Sequence, residues 1–286
     1  LRWYRTPGDI DLWCEARNGV EIGEMVNGEV VKSEHYSIAG VIEYCKQYER
    51  CRGRDIPWHR VLYYHCELKS DNGIAIEPHY RISYLHSPVR NHRLQKWFKN
   101  QFDVCLQNKC QLGFPVLSSS VNVVYQLVHL YRHVFEGGIG LRQLMDYYFA
   151  LRVWHNDVME CKDLQTQGMW SEGLGTAVMS KEEVMAVIRS FGMTRFASAV
   201  MYVLHEVFAI PTNYYICEPN EKEGKKLLEE IMKGGNFGQY DERGKEFKNG
   251  GMVKHGVWKL KRVMRLVRSY PEEALWEPVF RVWHLG

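Results

Sequence analysis

Two aspartates, Asp9 and Asp11, lie one residue apart directly after a Pro-Gly turn signal. A strand over residues 9–14 would place both carboxylates on one face, because side chains alternate between the two faces of a strand. Oxygen ligands on one face suit a hard divalent cation such as Mg²⁺, which also holds substrate phosphates. Aspartate is depleted in strands, and two like charges on one face repel each other unless a cation or solvent compensates. The pair therefore indicates either a metal site or a solvent-exposed edge strand.

A third carboxylate, Glu77, lies in a second strand-like segment, residues 74–83. Alternation places Glu77, His79 and Arg81 on one face of this strand and isoleucines on the other. If the two strands are neighbours, three carboxylates meet at one metal site, and His79 or Arg81 is close enough to bind phosphate. The alternative is a half-exposed strand on which Arg81 pairs with Glu77.

The elements that must position these residues are a helix and a hairpin. Apolar residues recur at helical spacing over residues 38–45, and Gly53 follows as a stop signal. This helix is expected to cover one face of the sheet. Residues 61–68 and 74–83 are rich in β-forming residues and are joined by a turn that ends in Asn-Gly, which predicts a hairpin.

The composition is that of a globular protein. The 286 residues are 45% hydrophobic and 25% charged, with a formal net charge of +3, which by itself gives no sign of nucleic-acid binding. The eight cysteines form no Cys-x-x-Cys pair, and the histidines between positions 59 and 92 lack the spacing of a zinc finger, which argues against a zinc site. No signal peptide opens the sequence, so we expect reduced thiols and a cytoplasmic protein.

Two segments bear on membrane contact. Residues 110–131 carry no charged side chain, but their polar residues with Gly113 and Pro115 predict a buried loop and a core helix rather than a membrane span. Residues 253–268 carry six basic and no acidic side chains. We expect the basic face of this helix to be solvated, with weak contact to an anionic surface as the alternative. Its apolar stripe, which we expect to face the core, consists of Val253, Val257, Leu260, Met264 and Val267.

Three segments together resemble a known family: residues 5–13, which contain the Asp-x-Asp pair, residues 76–81, which contain Glu77, and residues 138–146. They are similar to the bacterial, largely uncharacterised nucleotidyltransferase family within the polymerase-β-like superfamily. The first two segments match that superfamily's metal pattern, an Asp-x-Asp strand followed downstream by a third acidic strand. The resemblance implies an α+β fold and transfer of a nucleoside monophosphate from a nucleoside triphosphate such as ATP to an acceptor.

The resemblance also implies roles for individual residues. Asp9 and Asp11 would hold two Mg²⁺ or Mn²⁺ ions, and Glu77 would complete the metal site and act on the acceptor hydroxyl. Contacts to nucleotide or substrate would come from Arg5, Gly8, His79, Arg81, Arg142 and Asp146. The acceptor stays open between a small molecule, a sugar, a protein and RNA.

Arg142 and Asp146 are four residues apart on one face of a predicted helix. One interpretation is an ion pair within the helix, although the basic residue lies on the N-terminal side, which is the less favourable order. The functional interpretation, which the resemblance favours, places Arg142 against phosphate and gives Asp146 the role of orienting it or of contacting the acceptor.

The start of the sequence departs from the pattern of the superfamily. Members of the superfamily have a Gly-Ser pair at a helix start upstream of the Asp-x-Asp strand, and residues 1–8 contain no such pair. Two interpretations follow: an enzyme whose Gly-Ser element lies upstream of Leu1, or a catalytically degenerate relative that acts as a binding or regulatory module. In both, residues 1–88 form a nucleotidyltransferase-like catalytic (palm) domain, a small mixed sheet with flanking helices, and residues 89–286 form a helical domain.

Overall fold

The structure is a computed structural model that describes residues 9–14, 22–26, 29–33, 38–70, 73–166, 178–235, 241–242 and 251–284. The chain divides into two compact units, Leu1–Tyr84 and Leu85–Gly286. Strands lie in the first unit, whereas the described part of the second unit is built from helices. The predicted α+β class is confirmed.

The described part of the first unit contains a three-stranded mixed sheet, a separate strand pair and one α-helix. Its elements are β1 (Ile10–Trp13), β2 (Ile22–Val26), β3 (Glu29–Ser33), α1 (Ile38–Arg50), β4 (Leu68–Lys69) and β5 (Ala75–His79). The mixed sheet has the order β1-β5-β4, with β1 parallel and β4 antiparallel to β5. Because β1 and β5 are parallel, the chain crosses over between them through α1. Strands β2 and β3 form an antiparallel pair of their own.

The predicted hairpin is formed, but its first strand is shorter than expected. Leu68 pairs with Ile76, and the turn closes through Gly73, whose φ of 78° lies in the left-handed region that glycine tolerates. The segment before β4 does not continue as a strand, because the backbone N–H of Leu62 donates to the carbonyl of His65 at 2.9 Å and turns the chain back on itself. His65 itself stays in the hairpin register, since its isolated bridge with His79 continues the pairing of Leu68 with Ile76.

Helix α1 covers one face of the mixed sheet, as predicted. A buried cluster forms around Cys45, Cys66, Leu68 and Tyr80, with Ile76 of β5 packed against it. Since strand side chains alternate, burying Ile76 on this face directs Glu77 and its alternating neighbours to the opposite face. The apolar face under the helix therefore fixes which face carries the polar residues.

The second unit is an assembly of helices around an aromatic core. Its α-helices are α2 (Pro88–Gln107), α3 (Ser119–Glu136), α4 (Leu141–Thr166), α5 (Lys181–Ser190), α6 (Thr194–Phe208), α7 (Glu221–Gly234), α8 (Gly251–Leu266) and α9 (Pro271–Trp283). Helix α3 packs against α4, α5 and α8. At its centre, the ring of Tyr131 lies 4.9 Å from that of Phe196 and 5.3 Å from that of Tyr270.

The prediction for the uncharged segment of residues 110–131 is right for its second part and wrong for its first. Its second part is the core helix α3, but the predicted buried loop is wrong, because Leu112 is 74% and Phe114 is 67% exposed. The loop forms a backbone hydrogen bond of its own, in which the N–H of Cys110 donates to the carbonyl of Phe114 at 2.9 Å. These backbone groups therefore need no partner from another element. Among the described residues, no helix combines the length and apolar character that crossing a bilayer requires.

Helix α8 turns a different face to the core than its apolar stripe predicted. The predicted stripe is exposed at Val257, Leu260 and Met264, whereas Trp258 and Val263 are buried. Contact of residues 253–268 with an anionic surface stays a prediction.

A buried arginine explains the orientation of α8. Arg262 is 5% exposed, and its Nε and Nη1 donate to the carbonyls of Val134 and Gly137 at 3.0 and 3.1 Å. These carbonyls lie at the C-terminal end of α3, where a helix lacks partners for its last carbonyl groups. Arg262 thus caps α3 from a neighbouring helix.

Arg262→Met is expected to lower the free energy of unfolding by about 2 kcal/mol, because two carbonyl groups lose charged donors in a buried place. Arg268→Met is the control, since Arg268 lies on the exposed surface shortly after the same helix. Chemical denaturation followed by circular dichroism measures both. Equal losses in the two variants would contradict the capping role.

Candidate metal centre

The parallel pairing of β1 and β5 brings the predicted acidic residues together. In the register of these strands Asp11 is opposite Glu77, and Trp13 is opposite His79. Residues paired in this way lie on the same face of a sheet, so the carboxylates of Asp11 and Glu77 are neighbours. The face is the one that α1 does not cover.

Asp9, Asp11 and Glu77 form a carboxylate cluster. One oxygen from each lies within 4.8 Å of the others. The side chain of Glu77 is 18% exposed, whereas that of Asp11 is 44% exposed and Asp9 is also exposed. The cluster therefore has a half-buried floor and an open rim. Three carboxylates so close together repel each other, and a divalent cation relieves that repulsion.

His79 lies under the rim of this cluster and is 4% exposed. Its Nε2 is 3.2 Å from Oδ1 of Asp11 and 3.5 Å from Oε2 of Glu77. Burial lowers the pKa of His79, but the hydrogen bonds to both carboxylates outweigh burial, and the pKa lies above its usual value. The ring holds two of the three carboxylates in place. Its contact with a substrate phosphate stays a prediction.

His65 is a site residue that the sequence did not reveal. The ring is 3% exposed, and its Nδ1 lies 3.5 Å from Oε2 of Glu77. It reaches this place through the turn before β4 and the bridge to His79, and the two imidazole rings are 4.9 Å apart. The histidine spacing argued against a zinc finger, but it could not show that a hairpin joins two of these residues. A signal was present in the predicted hairpin, which pairs residues 61–68 with 74–83.

Arg81 lies just beyond the end of β5 and turns away from Glu77. Its guanidinium lies 4.2 Å from the centre of the Tyr63 ring and donates to the Tyr63 carbonyl. In the part of the chain that the structure describes, Arg81 therefore does not form the ion pair with Glu77 that was the alternative to a metal site. Phosphate binding by Arg81 stays a prediction.

The structure does not test the remaining predicted contacts. Arg142 is exposed and Asp146 half-buried on α4, which belongs to the second unit, whereas the carboxylate cluster belongs to the first. Arg5 and Gly8 lie outside the described residues. The substrate roles of all four stay predictions.

The structure has the small mixed sheet, with the Asp-x-Asp strand beside a third acidic strand, that the resemblance to a nucleotidyltransferase family implied. A family model described as "Uncharacterised nucleotidyltransferase" matches residues 2–168, more than half of the chain. The chain belongs to this family. Neither a search of curated proteins nor a search of solved structures found a match.

Proposed function

We propose that this protein is a metal-dependent nucleotidyltransferase that transfers a nucleoside monophosphate from a nucleoside triphosphate to an acceptor hydroxyl. The observation that carries this proposal is the convergence of Asp9, Asp11 and Glu77 on one face of the sheet. The family of the chain supports the reaction class. The acceptor is a small molecule, a sugar, a protein or RNA.

The donor set fits the cation that the proposal requires. Carboxylate oxygens are the ligands that Mg²⁺ prefers, and Mg²⁺ is bound through one or two carboxylates together with substrate phosphates. Asp9 and Asp11 are exposed, so the oxygens on the rim are accessible to a nucleotide. When bound, the cation supplies charge stabilisation at the reacting phosphate and orients it.

The side chains of the cluster and His79 have different roles in the proposed reaction. Asp9 and Asp11 bind the cation at the rim, while His79 holds the Asp11 and Glu77 carboxylates in their relative positions. In the proposed reaction the acceptor oxygen forms a bond to the α-phosphorus, the bond to the leaving pyrophosphate breaks, and the Glu77 carboxylate takes the acceptor proton. Glu77 suits this role because it is half-buried and fixed by its strand.

The test is an intact-mass screen of the full chain with Mg²⁺, each nucleoside triphosphate and candidate acceptors. We expect one acceptor to gain the mass of a nucleoside monophosphate while pyrophosphate is released. Chelation with EDTA should abolish the transfer, and added Mg²⁺ or Mn²⁺ should restore it.

The same screen separates transfer from the alternative, a binding or regulatory module. Nucleotide binding without a mass gain on any acceptor and without pyrophosphate would contradict the catalytic proposal and favour the module. Transfer that survives EDTA would contradict the metal-dependent mechanism.

A further inference from the structure

A second group of potential metal ligands lies behind the carboxylate cluster. His65, Glu77 and His79 each offer one ligand atom, and these atoms all lie within 4.8 Å of one another. Glu77 belongs to both groups. Two imidazoles and one carboxylate make a donor set different from the three carboxylates of Asp9, Asp11 and Glu77.

Two of the three distances among these atoms match those between ligands around a transition metal, and the two imidazole nitrogens lie within 4.8 Å of each other. In a tetrahedral centre with bonds of about 2.1 Å, neighbouring ligand atoms are about 3.4 Å apart. Oε2 of Glu77 is 3.5 Å from Nδ1 of His65 and 3.5 Å from Nε2 of His79.

The backbone holds both histidines in place. The N–H of Cys66 donates to the carbonyl of Pro78 at 3.2 Å, and the N–H of Arg81 donates to the carbonyl of Tyr64 at 3.1 Å. These two bonds flank the bridge between His65 and His79 and fix the segment before β4 against β5. Both rings are at least nine-tenths buried, so the surrounding side chains also restrict their movement.

We propose that His65, Glu77 and His79 bind a divalent transition-metal ion of the zinc type, with Glu77 shared between this ion and the carboxylate cluster. Imidazole nitrogen suits zinc and its neighbours, whereas Mg²⁺ prefers oxygen alone. Two histidines and a glutamate also form a known kind of zinc site that keeps one position open. Binding displaces the proton from the ligating nitrogen of His79, so the ion takes over from that N–H the role of holding Glu77. The ion binds Oε2 of Glu77 and leaves Oε1 to take the acceptor proton.

This inference goes beyond the proposed function, because binding of the ion needs neither nucleotide nor acceptor. The first experiment is zinc K-edge X-ray absorption on the full wild-type chain loaded with one equivalent of Zn²⁺. We expect the outer-shell scattering of two imidazole ligands. A spectrum with oxygen ligands only would overturn the proposal, whether or not the protein transfers nucleotides.

The second experiment compares Zn²⁺ affinity among variants in a competition assay with a chromophoric chelator. His65→Gln and His79→Gln are expected to weaken Zn²⁺ binding by about 100-fold or more, since each removes a direct ligand and loss of an outer-shell partner alone costs about 10- to 100-fold. His59→Gln is the control, because His59 is exposed and lies in neither group of potential ligands. Unchanged affinity in both histidine variants would contradict the proposal. If either variant fails to fold, the wild-type spectrum decides.

Discussion

Asp11→Asn is expected to lower Mg²⁺-dependent nucleotidyl transfer by about 10³-fold or more. Asp11 is paired with Glu77 in the sheet register and lies in the carboxylate cluster. Replacing its carboxylate with an amide removes one charge that holds the cation. A bound cation contributes several kcal/mol of charge stabilisation in such reactions, and about 4 kcal/mol corresponds to a factor of roughly 10³ in rate.

The same substitution should leave the fold intact. The Asp11 side chain is 44% exposed, and its pairing with β5 uses the backbone, which the substitution does not alter. The amide oxygen can still accept from His79, and one fewer negative charge reduces the repulsion in the cluster. We therefore expect an unchanged circular dichroism spectrum and no loss of thermal stability.

Initial rates of pyrophosphate release, measured across a range of Mg²⁺ concentrations, test this prediction. Asp55→Asn is the matched control, since Asp55 is an exposed aspartate of the same unit outside the cluster. It should retain the wild-type rate. A wild-type rate in Asp11→Asn would contradict the prediction. It would mean that the carboxylate of Asp11 is not needed for transfer and that the carboxylate cluster is not the catalytic site.

The carboxylates could be placed from the sequence because short-range rules decide their positions. Period-two alternation put Asp9 and Asp11 on one face, and the same rule put Glu77 and His79 on one face of the later strand. That β1 lies beside β5 came only from the family resemblance, because pairing between strands far apart in sequence depends on the whole fold. The short-range pattern and the register agree.

His65 could not be placed in the same way. The prediction extended the first hairpin strand over residues 61–68, but the chain turns back between Leu62 and His65 and only Leu68–Lys69 forms the strand. The turn has no strong Gly or Pro signal, so its backbone bonds are visible only in three dimensions. The pairing of His65 with His79 continues the register of Leu68 with Ile76, and that register was the part that the predicted hairpin left open.

The helical unit shows which sequence signals are reliable. The Ser180–Glu183 capping box begins α5, and Gly137 caps the end of α3, because caps act through neighbouring backbone groups. The prediction of which face of α8 is buried was wrong, because a long-range contact decides it. Arg262 meets carbonyl groups of α3 more than a hundred residues away, and no local pattern reports an acceptor that far along the chain.

Glu273→Ala is expected to destabilise the second unit by about 3 kcal/mol. Glu273 lies in the first turn of α9 and is 1% exposed. Its carboxylate accepts from the backbone N–H groups of His86 and Ser87 and lies 3.0 Å from Nδ1 of His86. A hydrogen bond to a charged group contributes about 1.5–3 kcal/mol, so loss of the bonds from His86 and Ser87 accounts for a cost of about 3 kcal/mol. The loss falls where α9 is tied to the residues that begin α2.

Glu272→Ala supplies the comparison that makes this prediction specific. Glu272 is the preceding residue, bonds to Ser87 Oγ at 2.6 Å and to Arg90 at 2.5 Å, and has a side chain that is 40% exposed. Exposed pairs contribute about 0–1 kcal/mol, so this variant should lose far less. Scanning calorimetry should show a melting temperature about 6–12 °C lower for Glu273→Ala, from about 2–4 °C per kcal/mol in units of this size. Similar shifts in both variants would mean that charge near the start of α9, and not the buried bonds to His86 and Ser87, holds these helices together.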